Sequence, residues 1–398
     1  MSPIDVPLLV VGGGIGGMSA ALSLARAGHR VHLIEQAAEF AEVGAGLQLA
    51  PNATRALDRL GVLEPVLRRA VQPSLLQMLD AVDGEEISAL DVGEAFVARY
   101  HAPYVVLHRH DLLSALLDAC RAEEGIELET NRHVVSCGVE PDRVTITCAD
   151  GTVYRAGAVI GADGLRSRLR GLVSDDEPLA TGYVAYRGPV PVDRVAGAIR
   201  MDAVVVWIGP GLHLVQYPLR HGQLLNQVAV FRSDRYEPHS DDWGSPEELR
   251  ARFSTMCPAV AASVELLDQS MRWPMHDRQP IGNWTCGPVT LLGDAAHPML
   301  QYLAQGACQA LEDAVELGEQ FVPGRDPEEA FRAYQAARIP RTGRVQASAR
   351  AWGELWHLDG VARDVRNRYL RARRADDFVD IDWLYGADAL SAVTASGS

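Results

Sequence analysis

The six residues Gly12-Gly13-Gly14-Ile15-Gly16-Gly17 place glycines at positions 12, 14 and 17, the G-x-G-x-x-G spacing of a turn that cradles a pyrophosphate. In such a turn Gly12 permits the tight reversal, Gly14 lets the backbone approach the phosphates, and Gly17 lets a helix pack closely on a strand. The unpaired N–H groups of the helix N-terminus face the anion. Glu35, 18 residues after Gly17, is placed to accept hydrogen bonds from a ribose 2′-hydroxyl and to repel a phosphate there. A glycine-rich turn with no ligand is the alternative, and NAD and FAD both suit the pattern.

Two more carboxylates stand among small residues, Asp163 in Gly161-Ala162-Asp163-Gly164 and Asp294 in Leu292-Gly293-Asp294-Ala295-Ala296-His297-Pro298. By type alone, each also suits a turn or a helix cap. In the run Leu212-His213-Leu214-Val215-Gln216-Tyr217 side chains two apart share a strand face, so His213, Val215 and Tyr217 point one way over roughly 13 Å. His108 and His110 form an H-x-H pair, but no cysteine or acidic cluster accompanies them and no metal site is read there.

The elements that must position these groups are legible as patterns. Leu8 to Val11 is a buried strand, Ile15 to Ala27 a helix and Arg30 to Ile34 a second strand ending at Glu35, a β-α-β unit. Asn52 to Arg69 and Asp111 to Glu123 read as helices, Tyr104 to His108 and Ile126 to Leu128 as strands, and His133 to Val153 as a hairpin about Glu140-Pro141-Asp142. Ala158 to Gly161 is another buried strand. Between Gly182 and Phe231 the runs Tyr183–Arg187, Ala203–Ile208, Leu212–Tyr217 and Leu225–Phe231 follow one another with no room for helices, which indicates an antiparallel sheet inserted into the first domain. Val289 to Leu292 returns as a buried strand, and Gln305 to Phe321 and Pro327 to about Arg374 read as helices. The tail from Ser391 is small and polar and reads as frayed. Trp352 and Trp356, at helical spacing, read as packing residues.

The 398 residues carry 37 basic and 52 acidic side chains, a formal charge of −15, which opposes nucleic-acid binding. All the basic residues are arginine, so Schiff-base chemistry and a lysine-dependent phosphate loop are excluded. The six cysteines contain no C-x-x-C pair and suit a reduced, cytoplasmic chain. No apolar run reaches the ~18–20 residues needed to span a bilayer, and Met1 to Pro7 does not look like a signal peptide.

Taken in order, the motifs resemble those of the single-component flavoprotein aromatic hydroxylases of the p-hydroxybenzoate hydroxylase fold. The likeness rests on the glycine turn, on Gly161–Gly164 continuing to Arg170, and on Leu292–Pro298, and it covers nearly the whole chain. The segments Glu42–Gln48, Tyr186–Gly188, Ile208–Pro210, Gln216–Arg220, Leu225–Phe231, Gln301–Ala304 and Trp352–Gly360 narrow it to members that hydroxylate 3-hydroxybenzoate. The Gln-Tyr-Leu-Ala stretch discriminates best, since the wider family commonly has Pro-x-x-Gly there.

The resemblance implies an α/β fold: a Rossmann-like FAD-binding domain at 1–75, 99–178 and 272–345, an inserted mixed or antiparallel substrate-binding sheet at 76–98 and 179–271, and C-terminal helices at 346–398. It implies FAD held by Gly12, Gly14, Gly17, Glu35, Gln48, Arg109, Asp163, Asp294, Gly306 and Ala307, with the helix beginning at Gly306 turned toward the flavin. Asp294 suits ribityl hydroxyls, and Arg109 is alternatively a surface ion-pair residue. No second G-x-G-x-x-G unit follows, so NADH, with NADPH as the alternative, is expected to bind transiently as the reductant.

The implied reaction reduces FAD, forms a C4a-hydroperoxide with O2 and transfers oxygen to a phenolic acid, giving 2,5-dihydroxybenzoate from 3-hydroxybenzoate. A phenolate is the better nucleophile, so the site calls for a base with pKa near the working pH. His213 is the candidate, with Tyr217 and Gln301 as substrate partners, and purely structural roles are the alternative for all three. A larger phenolic substrate, or a non-hydroxylating FAD protein that sequesters a ligand, remains the competing function. A homodimer is implied by resemblance alone.

Overall fold

The computed structural model describes residues 2–41, 45–140, 143–195, 199–237, 240 and 243–387. Glu42, Val43 and Gly44 of the segment leading to Gln48, the Pro141-Asp142 turn and the tail from Ser391 lie outside the described residues.

The apolar run at the N-terminus becomes the strand Ile4–Val11, central in the first sheet. It pairs in parallel with Val31–Ile34 on one side and Val153–Gly161 on the other. Ile126–Glu129 and Val289–Leu291 extend the parallel order outward, and the hairpin strands Val134–Glu140 and Arg143–Cys148 join antiparallel through Val153–Gly161. The helix Ile15–Arg26 packs between this sheet and the helix Gly306–Gln320, with its small buried residues permitting close approach. Residues buried on both faces explain why these strands read as continuous apolar runs rather than alternating ones.

The second sheet has seven strands in the order Trp273–Asp277, Leu179–Pro191, Leu224–Arg232, Leu212–Leu219, Ala203–Gly209, Leu75–Asp80 and Glu86–Asp91. It is antiparallel except where Ala203–Gly209 runs parallel to Leu75–Asp80, so the sheet expected over 182–231 is mixed and wider than those runs alone. Trp273–Asp277, placed by the sequence expectation with the FAD-binding segments, is its edge strand. Leu212–Leu219 is buried at every position. One face fronts a cavity, and the other, through Leu214, packs with Phe231, Leu249, Phe253 and Val260.

Two expected helices are each divided. Asn52 to Arg69 forms Pro51–Arg59 and Leu63–Leu67, parted by Gly61 at a φ of 60°. The long C-terminal stretch forms Pro327–Trp356 and Gly360–Arg371. Gly360 has a φ of 52°, and the Asp359 carboxylate accepts from the N–H of Gly360. Among the described residues no helix is long and apolar enough to cross a membrane.

Candidate active site

A single cavity of about 560 Å³ runs from the glycine turn to the second sheet. At one end Gly14, Ile15 and Gly16 border it. Gly12 and Gly17 lie beneath, each forced to be glycine: a Cβ on Gly12, at a φ of 111°, would fall 2.3 Å from the Ala162 carbonyl oxygen, and one on Gly17 would fall 1.8 Å from the Gly12 carbonyl oxygen. Glu35 does not border the cavity; its carboxylate accepts from the N–H groups of Gly13 at 2.7 Å and Ala37 at 2.8 Å, bracing the turn.

Midway, Gln48 comes from the short strand Gly46–Leu49 and Arg109 from the first turn of the helix Arg109–Ala122, brought together because Gly46–Leu49 pairs antiparallel with Val105–His108. The Tyr104 hydroxyl donates to Gln48 Oε1 at 2.6 Å. His108 turns its Nδ1 to the N–H of His110 and caps that helix. Asp294 is exposed on the cavity wall beside Gly306, Ala307 and Ala310. The helix Gly306–Gln320 thus opens its N-terminus and its free N–H groups onto the same space.

Behind that loop lies a buried charge network. The Asp313 carboxylate accepts from the N–H of Gly293 at 3.0 Å, from His297 at 2.5 Å and from Arg338 Nε at 2.6 Å. Arg338 and Arg341 both reach Glu312. Burial alone would raise both carboxyls, but the surrounding cations win and hold Asp313 and Glu312 at about 2.

Asp163 stands apart. Its neighbours Ala162 and Gly164 border the cavity, whereas its own carboxylate accepts from the N–H groups of Arg168 at 2.8 Å and Leu169 at 3.3 Å. Oδ1 is buried without a hydrogen-bond partner, and desolvation raises its pKa despite those backbone bonds.

The far end is built on the second sheet. His213, Val215 and Tyr217 all face the cavity, alongside Leu76, Met78, Val204, Val206 and Val228 from the neighbouring strands. This apolar wall carries polar groups, His213 and Tyr217, at its ends. Gln301, in the turn before the helix Gly306–Gln320, donates from Nε2 to His213 Nε2 at 3.3 Å. His213 is fully buried with no carboxylate partner among the described residues, and desolvation, with His357 adding to it, holds its pKa well below the usual imidazole value. Burial pushes the Tyr217 phenol up, only partly offset by Arg187.

Several cavity residues carried no assigned role in the sequence. Arg187, whose guanidinium lies 4.8 Å over the Trp273 ring, was visible only as part of Tyr186-Arg187-Gly188. Trp352 and Trp356 are cavity-wall residues as well as packing residues. A Cβ on Gly353 between them would strike the Tyr302 ring at 2.5 Å, which explains the glycine in that motif. Arg373 and Tyr385 also border the cavity, and nothing local marked them, because they arrive from the far C-terminal segment.

Comparison with known proteins follows the same lines. The family described as FAD binding domain matches residues 5–349. The chain is 42% identical to 3-hydroxybenzoate 6-hydroxylase of Polaromonas naphthalenivorans (strain CJ2), covering 97% of each. It is also 42% identical to 3-hydroxybenzoate 6-hydroxylase of Klebsiella oxytoca, covering 95% of this chain and 96% of that one. Among solved structures, a variant of HpxO from Klebsiella pneumoniae complexed with FAD superposes with a TM-score of 0.83 at 25% identity, over 98% of this chain and 99% of the other.

Proposed function

The chain belongs to the FAD-binding-domain family of flavin-dependent aromatic hydroxylases, and on that premise we propose that it converts 3-hydroxybenzoate to 2,5-dihydroxybenzoate with NADH and O2. Bound FAD supplies the redox chemistry, accepting hydride from a reduced nicotinamide and activating O2 for transfer of one oxygen atom to an electron-rich ring. The observation that carries the reading is one continuous cavity joining the glycine turn, Asp294 and the Gly306 helix N-terminus to His213, Tyr217 and Gln301.

The residues present suit the cofactor. Two helix N-termini, at Ile15 and Gly306, open onto the cavity as ready sites for negative charge. The backbone of Gly12, Gly14 and Gly17 would hold the pyrophosphate, and Glu35 keeps acceptor capacity for ribose hydroxyls beyond its two backbone bonds. Asp294 would accept from ribityl hydroxyls, and Gln48, Arg109 and the N–H groups of Gly306 and Ala307, which border the same cavity, would hold the ring system. Asp163 serves by shaping the loop that carries Gly164, consistent with its bonds to Arg168 and Leu169.

On the substrate side the apolar strands hold the benzene ring and exclude water. His213 accepts the proton of the phenolic hydroxyl, Tyr217 and Gln301 hydrogen-bond the substrate, and Arg187 beside Tyr217 offers the carboxylate a counter-charge. We also propose a FAD-binding domain at 1–75, 99–178 and 272–345 with a substrate domain at 76–98 and 179–271, amended by moving Trp273–Asp277 to the substrate domain because it pairs with Leu179–Pro191. The C-terminal region begins at 346. Six free cysteines suit the cytoplasm. A homodimer is supported by Val361, Val365 and Tyr369, spaced i, i+4, i+8 on one helix and 79%, 62% and 76% exposed.

A panel of 3-hydroxybenzoate, salicylate, a hydroxynicotinate and a larger phenol, each followed by NADH or NADPH consumption and product analysis, tests the reading. Coupled formation of 2,5-dihydroxybenzoate is expected. Uncoupled oxidation with every simple acid overturns the substrate assignment, and yellow protein with no stimulated turnover overturns the hydroxylase itself.

A further inference from the structure

Deprotonating a phenol with a buried base poses a transport problem, because the proton must leave as well as be taken. His213 is 0% exposed, so its own ring nitrogens meet no solvent. Its Nδ1 lies 2.9 Å from Nε2 of His357, the residue that ends the long helix Pro327–Trp356 and is only partly buried. His357 does not border the cavity.

The geometry assigns His357 as the positioning residue for His213 and as the outlet for the substrate's phenolic proton, resting on the reading that His213 accepts that proton. The Gln301 amide N–H donates to His213 Nε2, which makes Nε2 the acceptor and leaves the His213 proton on Nδ1. His213 Nδ1–H therefore donates to His357 Nε2, and His357 carries its own proton on Nδ1. In the transfer the substrate hydroxyl takes the place of the Gln301 amide at the Nε2 lone pair, its O–H bond breaks and a bond to His213 Nε2 forms, while Gln301 turns its hydrogen bond to the substrate. The His213 Nδ1–H bond breaks as one to His357 Nε2 forms, and His357 Nδ1–H gives its proton to solvent. One proton enters, one leaves, and no electron changes hands. Return of the pair to its starting tautomers completes the cycle.

The surroundings hold the two rings in line. His357 stacks on Tyr183 with centroids 4.7 Å apart, and its ring lies edge to edge with that of His213, centroids 5.2 Å apart and planes only 20° from parallel, so the ring N–H can point along the line between them. Tyr302 and Trp356 close around His213 at 5.4 and 5.2 Å. Behind the helix end, buried Arg366 donates to the carbonyls of Leu355 and Trp356, and Asn367 ties it to Asp80. Burial, with the Arg366 charge adding to it, holds the His357 imidazole at about 3, so neither ring keeps the proton it is handed. Two rings that stay neutral pass charge onward rather than store it. Glu354, one turn back and exposed, and the Tyr183 and Tyr302 phenols are the other ionisable groups near His357.

The test mixes the FAD-loaded oxidised protein with 3-hydroxybenzoate in weak buffer containing a pH indicator, recording proton release and the flavin absorbance change that reports binding. In His357→Gln, proton release should slow on the order of tenfold or more while the binding signal keeps its rate, and imidazole added to His357→Gly should restore it. Unchanged release in His357→Gln overturns the outlet. If His213→Gln also releases the proton at the normal rate, the base assignment itself has failed, which separates the two ideas. The unmodified protein gives a reading that needs no variant. Transfer through both rings moves more than one proton in the slow step, so the release rate plotted against D2O fraction should bow, whereas a straight line overturns the relay.

Discussion

Two buried polar clusters lean on the helix Pro327–Trp356, and their electrical plans are opposite. Midway along it, Arg338 and Arg341 meet Asp313 and Glu312, fully charged and mutually compensated, and their bonds run through Asp313 to the Gly293 backbone beside Asp294. Past its end, His213 and His357 face one another uncharged among aromatic rings. Compensated charges resist movement, because shifting one leaves another stranded in low dielectric. Neutral imidazoles carry both a donor and an acceptor, so protons pass along them at little cost. One cluster is suited to fixing a cofactor loop and the other to moving a proton.

The comparison is most easily broken at His213. His213→Ala should lower coupled hydroxylation by roughly 10²–10⁴ while the flavin-to-protein ratio stays unchanged. Loss of flavin from this variant would mean the imidazole belongs to the fold and not to the chemistry. Next in size, Arg338→Met leaves Asp313 to His297 and Glu312 to Arg341, one buried cation short, and should cost about 3–5 kcal/mol in denaturant unfolding. A loss under about 1 kcal/mol would show that the network tolerates an unpaired charge and does not fix the loop. Asp294→Ala, at an exposed position, should leave the melting temperature nearly unchanged yet weaken FAD retention by about 10–100-fold, read by flavin titration.

Acid sensitivity separates the clusters further. His357 falls from an ordinary 6.5 to about 3, so its contribution is complete above pH 6.5 and declines as pH drops from there toward 3, where the unfolded chain binds a proton that the fold refuses. Asp313 and Glu312, lowered to about 2, contribute fully above their ordinary values near 4 and lose that contribution only as pH falls toward 2. His357→Gln should therefore reduce the stability lost between pH 6.5 and 5 by about 2 kcal/mol, go on reducing it down to about pH 3, and leave only the loss below pH 3 in place. Equal slopes for both proteins would remove the neutral-pair description. The smallest effect is expected of Tyr217→Phe, a fall of about fivefold in coupled turnover with flavin retained, since one hydrogen bond of about 1 kcal/mol is lost.

Much of the first sheet was written locally. The glycine turn, the strand before it and the helix after it are neighbours in sequence, and the close approach of Gly17 to the Gly12 carbonyl involves only the turn itself. The same-face placement of His213, Val215 and Tyr217 also follows from strand period alone. The buried strand Leu212–Leu219 kept that register because a one-residue slip would turn Leu214 and Gln216 into the cavity. By contrast, the divided helices escaped notice because Gly61 and Gly360 sit inside otherwise helical composition, and only their positive φ angles reveal the breaks.

What the residue order determined by itself is the set of short-range devices: the glycine turn, the alternation of the strand Leu212–Leu219, the small residues opening the Gly306 helix, and an all-arginine cation set. What only the tertiary structure decided is ionisation and partnership. His213 and His357 are 144 positions apart, and Gln48 and Tyr104 are 56 apart, so no local pattern couples them. A histidine's pKa depends on how much water and charge surround it, and both are set by which distant segments close over it.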